Sequence, residues 1–119
     1  MKFTEEHEWL REEDGLIVVG ITEHAATQLG DLVFVEMPDT DIEVAKDDEI
    51  VVIESVKAAS DIMAPIDGTI VEVNDAIVAN PELVNEDPQG DGWFFKMKAS
   101  DASQMDDMMD ADGYAKFIG

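Results

Sequence analysis

Short apolar runs rich in β-branched residues, each bounded by turn signals, constrain the fold of this chain more than any other feature. Six such runs are present, at residues 16–19, 32–37, 50–54, 61–64, 68–74 and 93–98. Asp14 and Gly15 form a turn pair before the first run, and Pro38 and Pro65 each end a run because proline cannot donate to a β-ladder. This pattern predicts a mainly β sandwich or barrel.

Helical signals in the first two-thirds of the chain are few. Thr22 is placed to cap a helix over residues 23–29, which Gly30 would close in the left-handed conformation. Residues 80–84 predict one helical turn with Pro81 in its first position. The helices are therefore expected to be short connections beside the sheets.

After the last predicted strand the pattern becomes helical. Four apolar residues fall on one helical face: Ala102, Met105, Met108 and Met109. Asp112 and Gly113 are expected to interrupt this helix. We therefore expect one domain over residues 1–119, with a β core of about residues 7–98 and a helical tail of about residues 100–119.

Charge and composition exclude several classes of protein. Asp and Glu total 29 against 7 Lys and Arg, a formal net charge of −22 that would repel nucleic acid and anionic membrane surfaces. Hydrophobic residues make up 45% of the chain, enough for a packed core. Cysteine is absent, which excludes disulfides, thiolate metal sites and thiol nucleophiles. Without a leader or membrane-span pattern, a soluble cytoplasmic monomer is expected.

No catalytic or metal-binding residues are predicted. Residues 110–113 resemble part of an EF-hand loop, but the first and last ligand positions would be Met108 and Gly119, so a solvated acidic helix end is favoured. His7 and His24 lie far apart in sequence, with no third metal ligand or activated nucleophile beside them. They are interpreted as structural or surface histidines.

Lys57 is the residue most informative about function. It is one of only seven basic side chains, and it lies between two predicted strands with small residues on its C-terminal side. A lysine at a hairpin tip presents a primary amine on a flexible stem, which is a good acceptor for acylation. Chemistry alone nevertheless favours an ordinary solvated loop lysine.

The chain resembles the H-protein family of the glycine cleavage system, whose members are lipoyl carriers. The similarity is collinear over nearly the whole chain, through residues 7–9, 20–25, 29–38, 54–61, 64–68, 71–74, 81–88 and 92–93. Its most specific segment has the sequence Glu-Ser-Val-Lys-Ala around Lys57. Biotin carriers have Met-Lys-Met at this place, and the lipoyl domains of 2-oxo-acid dehydrogenases usually have Asp-Lys-Ala. The resemblance therefore favours a lipoylated Lys57.

The resemblance implies a flattened β-barrel or barrel-sandwich hybrid of lipoyl-domain type, with lipoate amide-linked to Lys57. The enzyme that attaches lipoate, a lipoate ligase or lipoyl transferase, would recognise the hairpin through its neighbouring residues: Glu54, Ser55, Val56 and Ala58. Glu8 and Asp61 are the candidates for contacts with the loaded arm, because carboxylates could hold its amine away from water.

The resemblance also implies that the chain has no catalytic activity of its own, since the chemistry belongs to the lipoyl dithiolane. Three partners would use it in turn: a pyridoxal-phosphate glycine decarboxylase, a tetrahydrofolate-dependent aminomethyltransferase and a dihydrolipoyl dehydrogenase. Two alternatives remain open at this point: an H-like protein that relays lipoate to other enzymes, and an acidic binding domain whose lysine stays unmodified.

The extreme acidity departs from the family pattern. A net charge of −22 destabilises a compact state unless salt screens the repulsion. A high-salt cytoplasm is one hypothesis for its origin, and a mesophile with an acidic carrier is the other.

Overall fold

The structure is a computed structural model that describes all 119 residues. Nine strands form two antiparallel sheets, a six-stranded sheet in the order β1-β2-β3-β9-β8-β5 and a three-stranded sheet in the order β4-β6-β7. The strands are β1 (Lys2–Phe3), β2 (Glu8–Glu13), β3 (Leu16–Ile21), β4 (Leu32–Glu36), β5 (Ile42–Val44), β6 (Glu49–Ser55), β7 (Ala59–Met63), β8 (Gly68–Val73) and β9 (Phe95–Ala99). The predicted mainly β, sandwich-type fold is confirmed, although the sheets do not close into a barrel.

All six predicted runs contain strands, but β1, β2 and β5 were missed. The sequence of β2 gave little signal because its second half is charged and solvent-accessible. Its strand conformation comes from pairing with β3, from Glu8 opposite Ile21 to Glu13 opposite Leu16. Asp14 and Gly15 join the two strands with φ of 53° and 81°, the positive values that a tight hairpin turn requires.

Four α-helices and one 3-10 helix complete the fold. The α-helices are α1 (Glu23–Leu29), α2 (Asp75–Ala79), α3 (Glu82–Glu86) and α4 (Ala111–Ile118), and the 3-10 helix spans Ala102–Met105. The predicted span and cap of α1 are confirmed, since the Thr22 hydroxyl accepts a hydrogen bond from the Ala25 N–H at 3.2 Å. Gly30 ends the helix with a positive φ of 80°, but its ψ of −166° lies outside the predicted left-handed helical conformation. Pro81 lies at the N-cap of α3, one position before the place predicted for it.

The prediction for the C-terminal segment was wrong in its details. Asp112 and Gly113 do not interrupt a helix but lie in the first turn of α4. This helix begins there because the Asp110 carboxylate accepts a hydrogen bond from the Gly113 N–H at 2.7 Å. The methionines also do not share one face, because Met108 packs against the main core and Met109 against a separate cluster.

Buried side chains form two clusters on opposite faces of the six-stranded sheet. The main core contains 19 buried residues from both sheets and from α1–α3. A second group, here called the terminal cluster, consists of Phe3, Trp9, Val18 and Tyr114. Because successive side chains of a strand alternate in direction, Val19 packs in the main core while Val18 packs in the terminal cluster. No helix has the length and apolar character needed to cross a membrane.

Candidate functional site

Lys57 lies at the tip of the hairpin formed by β6 and β7. The strands stay in register up to the pair of Glu54 with Ala59, and the Ser55 N–H then donates to the Ala58 carbonyl at 2.8 Å. Residues 55–58, here called the hairpin tip, therefore make a tight connection with Lys57 inside it. The side chains of Val56 and Lys57 are exposed to solvent.

The Ser55 side chain organises the backbone of the hairpin tip. Its Oγ accepts hydrogen bonds from the Lys57 N–H at 3.2 Å and the Ala58 N–H at 3.1 Å, and it donates to the Ala58 carbonyl at 3.1 Å. Serine hydroxyls favour such local turns because they can bond to nearby backbone groups. The backbone of Lys57 is thus held in place while its amine remains free.

A second contact fixes the hairpin tip to the rest of the molecule. The Val56 N–H donates to the Asp31 carbonyl at 3.0 Å, in the link between α1 and β4. The Lys57 stem runs past Gly30 in the same link, where a Cβ would lie 3.4 Å from Lys57 Cε. Lys57 therefore has a defined place relative to the end of α1.

The structure brings two predicted arm contacts together. Glu8 and Asp61 both line a cavity of about 230 Å³, together with Leu29 at the end of α1 and Ser60 in β7. Glu8 is 4% exposed, whereas Asp61 is exposed. Lys57 does not line the cavity itself. Ser60 was missed as a cavity residue, although its place in the motif around Lys57 could have indicated it.

Glu8 has an unusual titration behaviour for a glutamate. Burial raises its pKa to about 7, and the nearby Glu6 charge adds to this rise. The Thr4 hydroxyl, which donates to Glu8 Oε1 at 3.2 Å, opposes it by stabilising the carboxylate. Glu8 therefore exchanges a proton near neutral pH, where an ordinary carboxyl group is fully ionised.

The two histidines meet although they are distant in sequence. The rings of His7 and His24 lie 5.0 Å apart between centroids, and His7 Nδ1 is 2.8 Å from the Tyr114 hydroxyl. Tyr114 also shares a hydrogen bond of 2.7 Å with the buried Thr22 hydroxyl. Burial and the neighbouring His24 lower the pKa of His7. No group of three or more His, Cys, Asp or Glu side chains is arranged to hold a metal ion. Through its contact with Tyr114, His7 helps to hold α4 against the sheet.

The sequence matches the family described as "Glycine cleavage H-protein" over residues 1–119. The chain belongs to this family. It is 57% identical to the glycine cleavage system H protein of Citrobacter koseri and 54% identical to that of Alteromonas mediterranea, in both cases over 99% of this chain and 92% of the relative. The resemblance found in the sequence is thereby confirmed.

A solved H protein confirms the fold. The crystal structure of a glycine cleavage system H protein from Mycobacterium marinum superposes with a TM-score of 0.89, at 36% sequence identity. The match covers 99% of this chain and 95% of that protein. The two-sheet arrangement that carries Lys57 is therefore the arrangement of the H-protein family.

Proposed function

We propose that the chain is the lipoyl carrier of the glycine cleavage system, with lipoate attached through an amide bond to Nζ of Lys57. The observation that carries this proposal is the exposed Lys57 on a hydrogen-bonded hairpin tip. Members of the H-protein family are carrier subunits of glycine cleavage and carry lipoate. The residues present fit the group, because the hairpin tip leaves the amine open to an acyl donor and Gly30 leaves room beside the stem.

Attachment requires only a free amine and an activated lipoate. The lone pair of Nζ attacks the carboxyl carbon of the donor, the amide bond forms, the activating group leaves, and Nζ releases a proton. The chain contributes the amine and its position, and a lipoate ligase or lipoyl transferase contributes the activated donor. Glu54, Ser55, Val56 and Ala58 adjoin Lys57 in the hairpin and would form the surface that this enzyme recognises.

Lipoate on Lys57 would supply a redox-active disulfide, the group through which the family's three partners, the glycine decarboxylase, the aminomethyltransferase and the dihydrolipoyl dehydrogenase, would use this carrier. The chain itself supplies position and shelter rather than catalysis. We expect it to work in the cytoplasm. We expect a monomer, because a carrier that visits three enzymes needs transient contacts and a surface free of a permanent partner.

Glu8 and Asp61 would shelter the cationic amine of the loaded arm. Both line the cavity beside α1, and Glu8 has a pKa of about 7. A cation placed next to Glu8 favours the carboxylate and lowers that pKa, so the side chain would ionise when the amine enters. The cavity, which Glu6 and Asp61 also line, would thus gain negative charge at Glu8 when it is occupied.

Lipoylation of the purified chain tests the attachment site. Incubation with lipoate, ATP and a lipoate ligase should raise the intact mass by one lipoyl group, and peptide mapping should place it on Lys57. Lys57→Arg should remove the modification completely, since a guanidinium is not acylated as an amine is. Lys46→Arg is the matched control, because Lys46 is also an exposed turn lysine. Modification at Lys46, or at no lysine, would contradict the proposal.

A reconstituted reaction separates the carrier from the lipoate relay. Lipoylated chain added to purified decarboxylase, aminomethyltransferase and dihydrolipoyl dehydrogenase should support glycine-dependent reduction of NAD. The Lys57→Arg variant should support none. A chain that is fully lipoylated but inactive in this assay would favour a role in relaying lipoate to other enzymes.

A further inference from the structure

Asn85 lies in α3, outside the hairpin, but its side chain holds the segment against which the hairpin tip is fixed. Its Nδ2 donates to the Gly30 carbonyl at 2.8 Å, and its Oδ1 accepts from the Leu32 N–H at 2.9 Å. A longer contact of 3.5 Å joins Nδ2 to the Ala26 carbonyl in α1. One amide group therefore grips the chain on both sides of Asp31.

Asp31 is the connection from this segment to the lysine. Its carbonyl accepts from the Val56 N–H at 3.0 Å, and Val56 directly precedes Lys57. The hydrogen bonds of the Ser55 hydroxyl, in contrast, stay within the hairpin tip and do not fix where that tip lies relative to α1. The pairing of β4 with β6 reaches Ser55, opposite Leu32. The position of Lys57 therefore depends on this pairing and on a path from Asn85, which holds the 30–32 backbone, through Asp31 to Val56.

The segment needs such a brace because Gly30 can adopt many conformations. Its φ is 80°, in the region that glycine enters freely, and it ends α1. Carbonyls at a helix C-terminus have no partner within the helix, and Asn85 supplies a donor for them. Without that donor, the peptide that joins Gly30 to Asp31 would lose the bond that selects one orientation.

We propose that Asn85 is a positioning residue for the modification of Lys57: it fixes the link between α1 and β4, and through Asp31 it fixes the hairpin tip where the acylating enzyme meets it. The inference rests on the proposed function, since the position of Lys57 matters for acylation only if Lys57 is the acceptor. Asn85 touches neither the amine nor the acyl donor in this scheme.

Amide hydrogen exchange tests the structural part without any enzyme. Asn85→Ala removes all three side-chain contacts, and Asn85→Asp keeps the volume and the acceptor but removes the donor. Both should speed exchange of the Val56 amide by roughly five- to tenfold, the factor expected for one lost hydrogen bond. The Ser55 amide, whose partner Ala58 lies within the hairpin tip, should change by less than about twofold. Equal acceleration of both amides, or of neither, would overturn the inference.

Asn74→Ala is the matched control. The Asn74 side chain also bonds three backbone groups, donating to the carbonyls of Asp91 at 2.9 Å and Trp93 at 2.7 Å and accepting from the Ala76 N–H at 3.2 Å. None of these groups belongs to the hairpin or to the link before β4. This variant reports the cost of losing a comparable brace elsewhere, and its ratio of Val56 to Ser55 exchange should equal that of the unmodified sequence.

Lipoylation rates then test the functional part. At a temperature where circular dichroism shows every variant folded, kcat/KM for the ligase should fall by about three- to tenfold in both Asn85 variants and stay within about twofold in Asn74→Ala. Unchanged rates in the Asn85 variants, or an equal loss in Asn74→Ala, would overturn the inference. Failure of the unsubstituted chain to be lipoylated would instead overturn the proposed function, and the exchange experiment would still test the brace.

Discussion

The hairpin tip and the terminal cluster are held in place by different interactions. The four residues of the terminal cluster are at most 6% exposed, and the rings of Phe3 and Tyr114 stack with centroids 4.8 Å apart. In the hairpin tip, Val56 is 66% exposed, and backbone and serine hydrogen bonds set the conformation. Burial dominates in the terminal cluster, where Trp9 and Tyr114 also make hydrogen bonds, whereas hydrogen bonds at the surface set the conformation of the hairpin tip.

This difference separates stability from function. Burial of aromatic side chains contributes a large share of folding free energy, whereas an exposed hydrogen bond contributes little net stability but still selects a geometry. A lysine that must be acylated cannot be packed away, so its surroundings are organised without burial. Substitutions in the terminal cluster should therefore reduce stability, and substitutions in the hairpin tip should reduce lipoylation.

The largest effect is expected from Trp9→Ala in the terminal cluster. Trp9 is fully buried, and its Nε1 donates to the Pro88 carbonyl at 2.9 Å. Truncation should lower the free energy of unfolding by about 3–5 kcal/mol, measured by urea denaturation. Val56→Ala in the hairpin tip is the contrasting control and should change it by less than about 0.5 kcal/mol. Similar losses of stability in both variants would contradict the different contributions of the two regions to folding.

The second prediction concerns Glu8, which lies in β2 beside Trp9 but faces the cavity near the hairpin. Its pKa is about 7 in the folded protein and close to 4.5 in the unfolded chain. The folded state therefore holds a proton that the unfolded chain has lost, and stability falls as pH rises through this window. Glu8→Gln should remove that fall and gain up to about 3 kcal/mol at pH 8, with no gain at pH 4.

Two comparisons make the Glu8 measurement specific. The lowered pKa of His7 acts in the opposite direction, since it favours folding as pH rises through its range, and it cancels in the difference between the two proteins. Glu5→Gln removes the same charge from an exposed position and should change stability by less than about 0.5 kcal/mol. The free energy of unfolding is measured by denaturation at several pH values. If it changes with pH equally in Glu8→Gln and in the unsubstituted chain, the role of burial is refuted.

Ser55→Ala tests whether a substitution in the hairpin tip reduces lipoylation more than stability. It removes the three hydrogen bonds of the Ser55 hydroxyl, all at solvent-exposed positions. Stability should fall by less than about 1 kcal/mol, whereas kcat/KM for lipoylation should fall by about three- to tenfold. Ser100→Ala, at an exposed serine outside the hairpin, should alter neither value. A loss of stability without a loss of lipoylation rate would contradict the claim that the hairpin tip serves lipoylation rather than stability.

The smallest effect is expected from salt, which acts on the charged surface rather than on either buried cluster. With 29 acids and only two ion pairs, Arg11 with Glu13 and Lys96 with Glu72, most carboxylates repel one another. Screening should stabilise the fold by up to about 1 kcal/mol between physiological ionic strength and 1 M KCl, as the Debye length falls from about 8 Å to about 3 Å.

A KCl series with a sulfate control measures this stabilisation by thermal melting. Further stabilisation in multimolar KCl would support the high-salt origin of the acidic surface. A melting temperature that stays flat from low salt to multimolar KCl would exclude that origin and leave the carrier function unaffected.

The sequence by itself determined the features that depend on neighbours along the chain. Alternation, turn residues and caps are local signals, so the runs that became β3, β4 and β6–β9 and the capped helix α1 could be predicted. The hairpin lysine was also readable, because the residues that shape its turn are adjacent in the chain. Chemistry alone favoured an ordinary loop lysine, and only the family motif around Lys57 favoured lipoylation.

Only the tertiary structure decided which distant residues meet. Glu8 and Asp61 were candidates from the resemblance, but the fold buries the first carboxylate, raises its pKa and places both on one cavity. The hydrogen bonds of Asn85 to the link before β4 could not be predicted from the sequence, since a polar side chain in a short helix has many possible partners. Such contacts depend on strand pairing and packing between elements far apart in sequence, which neither periodicity nor capping encodes.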